Sequence, residues 1–100
     1  MSKLLSELAV KSCTFEIRSF RLGGHTTSIG LEVMFWDILE KIAAEEREPL
    51  DRFLAKIHDD TLRFQGEVNE FSSLLRCACL SYVESMKQVF GALDPPSENG

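Results

Sequence analysis

The stretch Thr14 to Leu22, TFEIRSFRL, is rich in residues that favour extended backbone. Gly23-Gly24 follows and supplies positive φ at no steric cost, and His25 to Leu31, HTTSIGL, resumes the β-forming pattern. Together they predict a β-hairpin. From Phe35 the apolar spacing becomes helical: Phe35, Ile38, Leu39, Ile42 and Ala43 share one face, Trp36 flanks it, and Glu32 suits a helix N-terminus. This first helix is expected to end near Glu46. Pro49 sits where a first helical residue tolerates it, and Leu50, Phe53, Leu54 and Ile57 give a second stripe, enough for a helix of roughly eight to ten residues. His58-Asp59-Asp60 and Gln65-Gly66 read as the ends of a loop. Asn69 or Ser72 then caps a longer helix with Phe71, Leu74, Leu75, Ala78, Tyr82, Met86 and Val89 along one face.

The pattern gives an α+β fold, mostly α. An N-terminal arm covers residues 1–13, one domain covers 14–93, and a tail at 94–100 with two prolines and little apolar content is expected to be disordered. A chain of 100 residues is too short for a second domain. At this size it buries only about 60–65% of its unfolded surface, so a second copy is expected to complete the core. If strand 25–31 pairs antiparallel with its symmetry mate, both backbones gain ladder hydrogen bonds and the helices of each chain close over the ribbon. The dimer interface predicted on this basis comprises Thr27, Ile29, Leu31, Phe35, Leu39, Phe53, Leu54 and Ile57, with a dimer of dimers as a further possibility.

Charge limits the partners. The formal net charge is −5, which opposes nucleic-acid binding, because phosphate neutralisation needs Lys and Arg. The charge is unevenly spread: Lys3, Lys11, Arg18 and Arg21 against Glu7 and Glu16 leave the first 31 residues at +2 and the remainder at −7. Any surface facing an anion is therefore N-terminal. An odd count of three cysteines without framework spacing reads as reduced thiols, and with no long apolar run the chain is expected to be cytoplasmic, with no membrane contact.

The run Arg18-Ser19-Phe20-Arg21-Leu22-Gly23-Gly24-His25-Thr26-Thr27-Ser28-Ile29, followed by Leu31-Glu32, Phe35-Trp36-Asp37 and Ile42-Ala43-Ala44, resembles a family of short bacterial proteins built on a ribbon-helix-helix domain. The later Ser72-Ser73 and Leu75-Arg76 also resemble it. The likeness covers about Phe15 to Val83. It implies an obligate homodimer that binds double-stranded DNA as a transcriptional regulator, with alternate strand residues entering the major groove. With Ile29 and Leu31 turned inward, the outward positions are Thr26, Ser28 and Gly30. The superfamily also seats a phosphate on the start of its second helix. Here Pro49 lacks an N–H there, and Glu48 and Asp51 bring negative charge.

Arg18 and Arg21 are the candidate phosphate contacts, against a plainer reading as edge-strand charges that prevent aggregation; which face they occupy depends on the turn length. Thr26 and Ser28 are candidate base readers, or merely solvent-facing β-formers. His25, beside the turn, is a candidate phosphate or base contact, or a turn residue only. Pairing of both strands would give the dimer a four-stranded sheet, wider than the two-stranded ribbon that a major groove admits. Cys77 and Cys79 point about 200° apart on a helix and cannot close on one metal, so no metal or cofactor is expected. His58-Asp59-Asp60 reads as a solvated cluster, and no nucleophile, base and acid arrangement stands out, so an enzyme is not expected. The alternative function is a homo-oligomeric scaffold that keeps the fold and binds a protein partner through the third helix or the wide sheet.

Overall fold

In the computed structural model, which describes residues 3–66 and 70–93, the elements run α1 (Lys3–Ser12), β1 (Phe15–Leu22), β2 (His25–Glu32), α2 (Val33–Glu45), α3 (Leu50–Gln65) and α4 (Phe71–Leu93). The expected hairpin is present. Strands β1 and β2 pair antiparallel with Leu22 opposite His25 and Phe15 opposite Glu32. The connecting loop is therefore two residues long, and Gly23 and Gly24 both adopt positive φ, at 59° and 82°. Only glycine takes that pair of conformations without strain, and they match the loop to the twist of the strands.

One face of the hairpin is covered by helices. Leu22, Ile29 and Leu31 from the sheet meet Trp36 and Leu39 from α2, Leu54 from α3, and Leu75 and Cys79 from α4, all at most 2% exposed. The indole of Trp36 anchors this layer: it is fully buried, its ring centroid lies 5.5 Å from that of Phe20, and its Nε1–H donates to the Glu16 carbonyl at 2.9 Å. Trp36 is thus the centre of the core and not the flank of a stripe, while Phe35 at the preceding position is only half-buried. Where α2 ends, the Arg47 and Glu48 N–H groups donate to the carbonyls of Ala44 and Ala43. That closure requires the left-handed conformation, and Arg47 takes it with φ of 58°.

Several expectations are corrected. The arm before residue 14 contains helix α1, tied to the sheet through Thr14: its hydroxyl donates to the Val10 carbonyl, and its own carbonyl accepts from the Val33 N–H at 2.8 Å. Pro49 is the N-cap of α3, one residue before the first helical position. Helix α3 does not stop before His58. It runs 16 residues to Gln65 and ends on Gly66, whose φ is 81° and whose N–H donates to the Leu62 carbonyl. The Asp59 and Asp60 side chains lie on its exposed side, so the acidic pair that suggested a loop is a solvated helix face. The proposed cap at Asn69 and the tail at 94–100 fall outside the described residues.

The residues expected at the dimer interface divide by burial. Ile29, Leu31, Leu39 and Leu54 are buried within one chain, where α4 packs on α2 and β2 and α3 packs on β1 and α2. Phe35, Phe53, Ile57 and Thr27 remain half-buried. The single chain covers its own apolar layer.

Candidate nucleic-acid interface

A strand presents alternate residues to opposite faces, so the β1/β2 register sorts every hairpin side chain. The covered face carries Glu16, Arg18, Phe20 and Leu22 from β1 and Thr27, Ile29 and Leu31 from β2. The open face carries Phe15, Ile17, Ser19 and Arg21 opposite Glu32, Gly30, Ser28 and Thr26. On that open face Ser19, Arg21, Thr26 and Ser28 are exposed, and the Ser19 and Ser28 hydroxyls stand 3.4 Å apart. His25 is exposed at the turn. Thr26, Ser28 and Gly30 are thus on the outward side, as expected.

Arg18 is not on the open face, although it was expected to share a role with Arg21. Residues three apart in a strand lie on opposite sides whatever the turn length. The Arg18 guanidinium stacks over the Trp36 ring at 4.8 Å, with Nε 2.5 Å from Glu16 and Nη1 3.5 Å from Glu40. The hydrogen bond to Glu16 raises its pKa further above the ordinary arginine value. This arginine joins β1 to α2. Arg21, by contrast, stands on the open face opposite Thr26.

The same alternation identifies what β2 offers on its outer edge. The Val33 N–H to Thr14 carbonyl bond marks a hydrogen-bonded pair, and stepping back by twos makes Leu31, Ile29 and Thr27 the β2 residues whose backbones bond to β1. The backbones of Gly30, Ser28 and Thr26 therefore face away from β1. Strands β1 and β2 form a two-stranded sheet, so this edge is open among the described residues. The edge of β2 left open for a further strand is therefore formed by the backbones of Thr26, Ser28 and Gly30.

Sequence reasoning missed the apolar half of the open face. Phe15 is 57% and Ile17 65% exposed, and the Phe15 ring lies where a Cβ on Gly30 would stand. Glycine at 30 is what allows the ring to lie across the sheet. The signal was available, since Phe15 and Ile17 share the parity of Arg21. The strand-to-helix junction is braced from α4: the Arg76 guanidinium donates to the Glu32 carboxylate at 3.0 Å and lies 5.9 Å from the Phe35 ring centroid. A bond from its own backbone N–H, then the bond from Arg76, holds the Glu32 carboxyl below the usual glutamate range.

At the start of α3, Asp51 lies in the first turn and Glu48 accepts a bond from Lys56 at 3.1 Å, so carboxylates border this helix end. Among the described residues no cluster of three metal-ligating side chains occurs, and no helix is long and apolar enough to cross a membrane.

The order of hairpin, α2 and α3 agrees with comparison to known proteins. A family model described as a ribbon-helix-helix domain matches residues 15–83. The chain belongs to the ribbon-helix-helix domain family. The matched span takes in β1, β2, α2, α3 and the first part of α4, and leaves α1 outside it. Members of the family are typically DNA-binding transcription regulators. The domain is also similar to the solved structure of an uncharacterized protein from Bordetella pertussis Tohama I, with a TM-score of 0.74 and 33% identity over 97% of this chain and 78% of that one. No curated protein matches the chain.

Proposed function

We propose that this ribbon-helix-helix domain acts as a cytoplasmic homodimer, paired through the open edges of two β2 strands, that binds duplex DNA with the outer face of the resulting sheet and regulates transcription. The observation that carries this reading is the joint placement of Thr26 and Ser28. Their side chains lie on the exposed face and their backbones on the unpaired edge, so one strand serves both pairing and contact. Hydroxyl groups donate and accept at base edges, and Arg21 of each chain supplies a phosphate contact, while His25, opposite Leu22, is exposed at the turn with the parity of the other face. Arg18 has no part in this contact, because Glu16, Glu40 and Trp36 already hold it. The function needs no catalytic group or cofactor.

A second reading is favoured by Phe15 and Ile17, together with the net charge of −5. An exposed apolar pair on a sheet without net charge suits a protein surface better than a phosphate backbone, and on this reading the oligomer is a protein-interaction module.

Fluorescence anisotropy on fragmented genomic duplexes at low and physiological salt separates the two. Binding that weakens as salt rises supports the regulator; no affinity at low ionic strength removes it. Pairing is tested with Ser28→Pro, which deletes a backbone donor on the open edge and leaves the β1 ladder intact. The variant should keep its fold and lose dimerisation by sedimentation equilibrium, and an unchanged dimer overturns edge pairing.

A further inference from the structure

Helix α4 carries a longer apolar stripe than its own chain covers. Leu75, Cys79, Tyr82, Met86 and Val89 follow alternating steps of four and three residues, the spacing that keeps one seam of a helix against a partner helix. The first part of the seam is filled. Leu75 and Cys79 are fully buried, the Cys79 thiol lies 3.6 Å from the Phe35 carbonyl, and the Tyr82 hydroxyl donates to the Glu45 carboxylate. Glu45 is the last residue of α2, whereas α4 continues to Leu93. At about 1.5 Å per residue, α4 continues roughly 16 Å past Tyr82. Along that length Val83 is 45% and Val89 53% exposed, and Met86 is only half-buried.

We propose that this distal seam pairs antiparallel with the same segment of a second copy, crossing near Met86, and that it links two sheet-paired dimers into a tetramer. Charge argues for a copy of the same chain. Between Leu80 and Val89 the only ionisable carboxylate and amine are Glu84 and Lys87, so the segment is neutral within a chain of net charge −5. Two such chains repel elsewhere, but here they can approach without net repulsion, and an antiparallel crossing opposes their helix dipoles favourably. The seam is also continuous with the α2/α4 contact already formed, so the second copy extends packing that exists.

The contact is separate from the edge of β2, and the two are tested separately. The double variant Val83→Glu, Val89→Glu places charge at two positions that are exposed in the single chain, so the fold should survive, as checked by circular dichroism. Its mass by sedimentation equilibrium should be half that of the parent protein. Met86→Cys, made with Cys13→Ser and Cys77→Ser, should give a disulfide-linked pair of chains under oxidising conditions, at protein concentrations where a Lys87→Cys control does not. If sheet pairing fails but α4 pairing holds, the Met86→Cys crosslink still forms and the parent is a dimer. Equal masses of parent and double variant, or no crosslink at position 86, would overturn the proposal, leaving a different protein as the occupant of the seam.

Discussion

Arg18 and Arg21 are the same residue type on one strand, three positions apart, and the fold uses them in opposite ways. Arg18 faces the helices, stacked on Trp36 and paired with Glu16 and Glu40, while Arg21 stands exposed opposite Thr26. The contrast extends to the two faces of the hairpin. On the covered face Leu22, Ile29 and Leu31 are at most 2% exposed, and the open face keeps Phe15 and Ile17 more than half exposed. A charge on the covered face contributes to stability by joining elements; one on the open face is free to meet a partner. Composition alone does not distinguish them.

The sharpest test of that division compares Trp36 with Ile17. Removing the buried indole leaves a cavity and takes away its contacts with Glu16, Phe20 and Arg18, so Trp36→Ala should cost about 3–5 kcal/mol, whereas Ile17→Ser should fall within about 0.5 kcal/mol of the parent. Chemical denaturation measures both. Comparable losses would mean that the outer face is covered in solution, as an interaction surface would be.

Next in size is the thiol contrast. Burial pushes the Cys79 thiol up from 9.0 to about 11, while Cys13 and Cys77 are exposed. At neutral pH Cys79 should react with iodoacetamide about 100-fold more slowly than its thiolate fraction would otherwise allow. Because the folded-state value is the higher one, the stability tied to the neutral thiol is complete below pH 9.0 and is lost as the pH rises through about 11. A melting temperature that holds flat across that window, with the other titrating groups accounted for, would contradict the burial of this side chain.

The arginines themselves give the third test. Arg18→Ala should lower stability by about 1 kcal/mol, through loss of its contact with the indole and its partly exposed ion pairs, without altering the salt dependence of DNA binding. Arg21→Ala should leave stability unchanged and, with one such contact from each chain of a dimer, reduce the slope of log affinity against log salt by about 2. An exchange of these two phenotypes would reverse the assignment of faces. The smallest effect is expected at the end of α2, where Arg47→Gly relieves a left-handed residue that bears a side chain and should stabilise the fold by about 0.5–1 kcal/mol in the same denaturation assay.

The elements that depend on short-range rules were legible in the sequence. Gly23-Gly24 requires a two-residue turn because few other residues adopt its φ values, and the step from alternating to helical spacing after Leu31 marks the start of α2. The outward placement of Thr26 and Ser28 followed from the inward Ile29 and Leu31. The separation of Arg18 from Arg21 was equally legible, since strand period alone decides it.

What the sequence determined by itself was therefore the order of strand and helices, the turn, and the family likeness carried by Arg18 to Ala44. Only the tertiary structure decided how the apolar stripes are shared. Leu39 and Leu54 offer the same side chain to neighbouring elements of their own chain as to a second copy, and periodicity records that a face is buried without recording what buries it. The length of α3 was hidden for a related reason: Asp59-Asp60 is polar in a loop and equally polar on the solvent side of a helix, while His58 turns inward against Phe71, and the packing of the preceding Leu54 and the glycine at 66 settle which it is. The partner-facing edge of β2 was likewise a matter of hydrogen-bond parity, set by the bond between Val33 and Thr14 and invisible in any side chain.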